Sequence, residues 1–254
     1  MRLLLDDFIR ALQFLTRLPA LPQVEWSQAA FGRSARLFPL VGGLIGLLLA
    51  ALDQLLQLPA AAPEHAAAAL LVTAGILVTG GLHCDGFMDT LDGVFSGRPR
   101  QQMLEIMKDS RVGAFGVIGF CLLLLTRYSL LLDMPPSLLP AALLTAPVVG
   151  RMAAVAAIYG FPYARREGLG KSFHDSACGG NLAVAAALTT LLLACIGTGA
   201  VLTGAAVLLV SWGVAGWFNR KLDGLTGDVY GAIIEIAEVL TLLAFVLAGP
   251  ALVA

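Results

Sequence analysis

Within 83–111 the chain gathers His83, Asp85, Asp89, Asp92 and Asp109, closed by Arg111. Asp85, Asp89 and Asp92 are spaced i, i+4, i+7, so a helix sets them on one stripe with neighbouring Cβ atoms about 5–6 Å apart. Carboxylate oxygens at that separation suit a hard cation. Magnesium fits best, because it takes one or two carboxylates, keeps waters and accepts phosphate oxygens, whereas calcium wants more protein oxygens. Like charges on one stripe destabilise a helix unless something positive lies between them. That argues against the plainer reading of helix caps and solvated loop acids. A helix over about 98–110, packing through Met103, Ile106 and Met107, brings Asp109 and Arg111 back to the same mouth. His83 reads as a proton acceptor, as a partner of one aspartate, or as an interfacial histidine, and Gly86 and Gly93 mark close approach of backbone or ligand.

These residues sit in a very apolar chain. Of its 254 residues 58% are hydrophobic and 13% charged, and the mean hydropathy is +0.85. That composition belongs to integral membrane proteins. The pattern predicts an all-α, polytopic helical bundle forming a single domain over 1–254, with about seven spans at 37–57, 66–82, 114–132, 138–160, 181–197, 200–218 and 229–249. Met1–Leu18 carries Leu5, Phe8, Ile9, Leu12 and Leu15 on one face. It reads as an amphipathic helix at the interface or against the bundle, ended by Pro19–Pro22 and not a signal peptide.

Fourteen of the sixteen basic residues fall in 1–36 or after the second, fourth and sixth spans, while 58–65, 133–137 and 197–200 have none. The basic side is the cytoplasmic one, here of a bacterial inner membrane. It also holds the long loops 83–113 and 161–180, where function concentrates. A net charge of −1 points to neither nucleic-acid binding nor an acidic tail. Cys84, Cys121, Cys178 and Cys195 show no CxxC spacing, so they read as reduced, packing thiols, and zinc is not expected.

Two further clusters face the same side. Tyr163–Ser172 combines Arg165, Arg166 and Lys171 with Gly168 and Gly170, a composition that holds phosphate or merely fixes orientation. Gly170-Lys171-Ser172 is no P-loop, since Arg165 stands where a glycine is needed and no strand precedes it. Leu225-Thr226-Gly227-Asp228 leads into Glu235 and Glu238 within the last span, and ionisable groups there are functional or paired. Arg127 and Arg151 are their partners or else face substrate. Asp53 is expected to reach the outer interface.

Phe38-Pro39-Leu40-Val41-Gly42, Gly80-Gly81-Leu82-His83-Cys84-Asp85-Gly86 with Asp89 and Asp92-Gly93, Met103 through Gly113, Arg166-Glu167-Gly168-Leu169-Gly170 and Leu225-Thr226-Gly227-Asp228 with Gly231-Ala232 and Glu235 occur in this order across the chain. In that combination the sequence resembles the cobalamin synthase family, the adenosylcobinamide-GDP ribazoletransferases. The resemblance implies a Mg²⁺-dependent membrane transferase. The ribose 3′-hydroxyl of α-ribazole, or of its 5′-phosphate, attacks the cobinamide-linked phosphorus of adenosylcobinamide-GDP, and GMP leaves.

On this reading Asp85, Asp89 and Asp92 bind metal, and Asp109, or failing it His83, takes the hydroxyl proton. Arg111, Arg166 and Lys171 hold the pyrophosphate or guanosine, while Asp228 and Glu235 complete a second ion site or bind the corrinoid rim. The partners are the two substrates and the lipid bilayer, with room for a homo-oligomer. Asp89-x-x-Asp92-Gly93 also resembles the CDP-alcohol phosphotransferases, but the chain lacks their Ala-Arg after Gly93 and their later acidic motif. Another Mg²⁺-dependent membrane phosphotransferase is one alternative. A cation carrier using Asp53, Glu235 and Glu238 is the other, and it predicts acids at mid-membrane and paired broken helices.

Overall fold

The computed structural model describes residues 2–18, 22, 24–58, 62–175 and 179–249, and Pro19 and Cys178 lie outside them. Among the described residues the helices are α1 Arg2–Leu15, α2 Gln28–Ser34, α3 Phe38–Leu56, α4 Glu64–Thr79, α5 Leu82–Phe95, α6 Arg100–Ile106, α7 Ala114–Asp133, α8 Leu139–Gly160, α9 Leu169–Asp175, α10 Gly179–Ile196, α11 Thr198–Leu222 and α12 Gly227–Ala248. No strand accompanies them, so this is the expected helical bundle.

Among the described residues six segments are long and apolar enough to cross a membrane, α2 with α3, then α7, α8, α10, α11 and α12, or seven if the bent pair α4 and α5 is one span. The second expected span departs from the pattern. Its helix, α4, has 16 residues, a rise of about 24 Å against a hydrocarbon core of about 30 Å. The chain then turns by 91° into α5. Gly80 and Gly81 make that turn, at φ 64° and 72°, a region that costs a residue with a Cβ but not glycine. α5 therefore lies outside the spanning helices, across one end of the bundle against α12 and α7.

α8 is the axis of the fold. In its most apolar window 83% of residues are buried, against 22% in α10 and 33% in α11, which face outward. Its small residues let neighbours approach, as membrane packing requires. The closest approach is at α3, where a Cβ on Gly42 would lie within 3 Å of the Pro147 and Val148 backbone. α1 packs on the bundle through Ala11, Leu12 and Leu15, one of the two roles left open by its sequence, while Leu3, Leu4 and Leu5 stay exposed. Asp53 departs from expectation: it is 2% exposed and accepts a 2.9 Å hydrogen bond from Gln57. The described cysteines, Cys84, Cys121 and Cys195, are free thiols.

Candidate active site

α5 carries the acidic stripe, but its carboxylates part company. Asp92 is 8% exposed, and its oxygens accept from the backbone N–H groups of Gly113 at 2.7 Å and Gly116 at 2.8 Å. Those donors open α7 and have no partner inside that helix, so Asp92 caps α7 from a distance in sequence. Asp85 shares a cleft with Asp228, in the first turn of α12, and Asp89 feels the charges of Asp85, Asp228 and Asp92.

That convergence depends on one glycine. A Cβ on Gly86 would stand 2.8 Å from the Asp228 carbonyl oxygen and 2.9 Å from its Cα, so only glycine lets α12 cross α5 there. The crossing continues one turn further, with Gly231 against the backbone of His83. Thr226 caps α12 by accepting from the Val229 N–H at 3.3 Å. Asp228 thus sits where the helix dipole favours negative charge.

The opposite wall is the segment after α8. The Ala164 N–H donates to Leu225 at 2.8 Å and the Leu225 N–H to Pro162 at 2.8 Å. Arg100, from α6, donates to the carbonyls of Leu222 and Ala164. Held in this way, Arg165 brings Nη2 to 2.8 Å from Asp228 Oδ2. The Tyr163 ring and hydroxyl pack against the Gly168–Gly170 loop, where a Cβ on either glycine would come within 3 Å of them.

Between these walls lies a cleft of about 240 Å³ lined by His83, Asp85, Gly86, Tyr163, Arg165, Gly168, Gly170, Asp228 and Tyr230, with Phe14, Phe38 and Phe173 behind. Negative charge is in excess. Burial, then Asp85, Asp228 and Asp92, push the Asp89 carboxyl up to about 7, with Arg165 the opposing influence. Among the described residues no three His, Cys, Asp or Glu side chains form a ready metal cage. An all-oxygen set with surplus charge does fit a magnesium ion that takes one or two carboxylates and completes its shell with water and phosphate.

The remaining candidates are dispersed. Asp109 and Arg111 pair with each other on an exposed loop, at 2.6 Å, and those hydrogen bonds hold the Asp109 carboxyl down at about 2. Arg166 is exposed, and Lys171 pairs with Asp175. Glu235 is buried away from the cleft, 2.9 Å from Arg127, and accepts from the Cys84 thiol. Arg127 also meets Glu238 at 2.9 Å, and Arg151 pairs with the same Glu238. The two intramembrane arginines are thus the partners of the two intramembrane glutamates. His83 lines the cleft, with Nε2 unpaired among the described residues. Arg165 and the aromatic wall went unassigned in the sequence; the only signal for Arg165 was its place in a basic cluster.

Comparison with known proteins adds the lineage. The family described as cobalamin-5-phosphate synthase matches residues 7–246. A Roseiflexus protein named adenosylcobinamide-GDP ribazoletransferase is 41% identical over 94% of this chain and 89% of its own length. Proteins of the same name from Geotalea daltonii and Klebsiella pneumoniae are 41% and 39% identical, covering 94% and 95% of this chain and 96% and 99% of their own lengths. No solved structure matches the chain.

Proposed function

The chain belongs to the cobalamin-5-phosphate synthase family, and on that premise we propose that the cleft between α5 and α12 joins α-ribazole, or its 5′-phosphate, to adenosylcobinamide phosphate. The 3′-hydroxyl oxygen attacks the phosphorus bearing the cobinamide. The bond from that phosphorus to the bridging oxygen breaks, GMP departs with that oxygen, and the hydroxyl proton passes to the protein.

The observation that carries this reading is that Asp85, Asp228 and Arg165 line one cleft, with Asp89 within electrostatic reach of all three. Such transfers need chiefly positioning and neutralisation of oxygen charge. Asp85 and Asp89, with Asp228, would hold Mg²⁺, which when bound supplies that neutralisation. Arg165 offers its guanidinium fork to the diphosphate, and the Gly168–Gly170 loop leaves room for it. Of the two proton acceptors suggested by the sequence, His83 is the one that lines the cleft, although burial and then Arg151 and Arg127 hold its imidazole well below the usual histidine range. Asp109 lies on an exposed loop, and a carboxyl held at about 2 has little affinity for a proton. The excess of basic residues at this end supports a cleft that faces the cytoplasm.

The test offers purified protein adenosylcobinamide-GDP with α-ribazole or, separately, with diacylglycerol. GMP released in equal amount with adenosylcobalamin, and only with α-ribazole, is the expected result. Release with the lipid alcohol alone would transfer the chain to another phosphotransferase class.

A further inference from the structure

The aromatic half of the cleft is built more heavily than a diphosphate site requires. Phe173 is 2% exposed, and its ring centroid lies 5.3 Å from Phe14, 4.1 Å from Phe31 and 5.2 Å from Phe38. These rings come from α1, α2, α3 and α9, so four helices collaborate on one apolar wall in which Phe173 meets the other rings edge-to-face or tilted. Phe14, Phe38 and Phe173 line the same cavity as Asp85, Arg165 and Asp228. Two buried side chains that line the same cavity, Tyr230 at 6% and His83 at 4% exposure, have a polar atom with no hydrogen-bond partner among the described residues, the Tyr230 hydroxyl and His83 Nε2.

We propose that this aromatic half binds the 5,6-dimethylbenzimidazole ring of the acceptor nucleoside, with the Tyr230 hydroxyl donating to the free ring nitrogen. The proposal rests on the reaction assigned above and adds which substrate moiety occupies which wall. Size excludes the corrinoid, whose macrocycle and amide rim are far larger than a cleft of about 240 Å³. Polarity excludes guanine. Its edge carries several donors and acceptors that phenyl rings cannot satisfy, and each group left bare in such a site is unfavourable. The riboside of dimethylbenzimidazole presents two methyls, two fused rings and a single acceptor nitrogen, which matches three phenylalanines and one orphaned hydroxyl. With the base there, its ribose extends toward Asp85 and Asp228, and guanosine lies outside the cavity.

The experiment measures KM for each substrate separately in detergent-solubilised full-length Phe173→Ala, Phe173→Leu and Tyr230→Phe proteins. The leucine variant keeps bulk in the core should the alanine variant unfold. We expect the α-ribazole KM to rise tenfold or more in the Phe173 variants and several-fold in Tyr230→Phe, while the KM for adenosylcobinamide-GDP stays within twofold. An α-riboside of 5,6-dimethylindole, with carbon in place of the ring nitrogen, should bind wild type and Tyr230→Phe equally. A rise confined to the donor KM, or an unchanged acceptor KM in all folded variants, overturns the placement. Wild-type protein releasing no GMP from the two substrates would instead remove the underlying reaction, so the two failures are separable.

Discussion

Arg165 Nη2 stands 2.8 Å from Asp228 Oδ2 and bridges two loops remote in sequence. The pair closes one end of the acidic cleft, and it is the contact through which phosphate binding would be felt. Arg165→Ala should lower kcat/KM for GMP release about 100-fold, on the scale of one lost electrostatic contact to a transferring phosphate. Arg165→Lys, retaining charge but not the fork, should fall between. Equal activity in all three proteins would remove the guanidinium from the site.

Asp89 predicts a pH dependence. Its carboxyl lies near 7 in the folded chain against about 4 when unfolded, so the folded state holds the extra proton between those values. In the absence of divalent cation its contribution to stability is therefore full below about 4 and is lost as pH rises through 7. Cation binding runs oppositely, because it needs the ionised form. The apparent Mg²⁺ affinity, read from stabilisation in thermal melts, should strengthen about tenfold in all from pH 6 to 8, most of it below 7, and Asp89→Asn should flatten that slope.

Asp92 distinguishes a cap from a ligand. With its oxygens engaged by Gly113 and Gly116, Asp92→Ala should cost about 2 kcal/mol of stability through the lost α7 cap and two bared N–H groups. Asp92→Asn should cost about half as much. In the asparagine variant the Mg²⁺ concentration giving half-maximal activity should be unchanged. A tenfold increase would restore Asp92 to the metal shell.

The buried quartet Arg127, Arg151, Glu235 and Glu238 predicts non-additivity. Glu238→Leu strips Arg151 of its carboxylate and Arg127 of one of two, a loss of about 3–5 kcal/mol for a broken buried pair. Adding Arg151→Met should recover much of it, since apolar replacements of similar size often match a buried ion pair. The melting temperature in detergent reads both. A double variant no more stable than Glu238→Leu would show that the charges act outside this pairing.

Gly86→Ala pushes a methyl group into the α12 backbone. Prising α5 from α12 should cost about 1–3 kcal/mol and lower GMP release at least tenfold by separating Asp85 from Asp228. Gly81→Ala strains only the turn before α5, and its effect on activity should be smaller than its effect on stability.

The bundle was legible because a membrane demands long apolar runs, and six of the seven expected spans coincide with a spanning helix. The α4–α5 corner was hidden inside an unbroken apolar window, although Gly80-Gly81 marked the place. Spacing put Asp85, Asp89 and Asp92 on one stripe, and α5 has that stripe. What spacing omits is that a helix has neighbours on both sides, so Asp92 turned to the start of α7 and Asp228 took its place opposite Asp85. Likewise Arg165 and Arg166 are indistinguishable by composition. The Tyr163–Leu225 bridge, a contact across sixty residues of chain, accompanies the placement of Arg165 in the cleft while Arg166 stays exposed.

The central claim, that α5 acids activate phosphate transfer together with a divalent cation, is tested most directly by GMP release from Asp85→Asn, Asp89→Asn and the double variant, titrated with Mg²⁺ in folded, solubilised protein. The account predicts that each single variant loses at least 100-fold and that the double variant stays at background at any Mg²⁺ concentration. Near wild-type turnover of the double variant at saturating Mg²⁺ would contradict it.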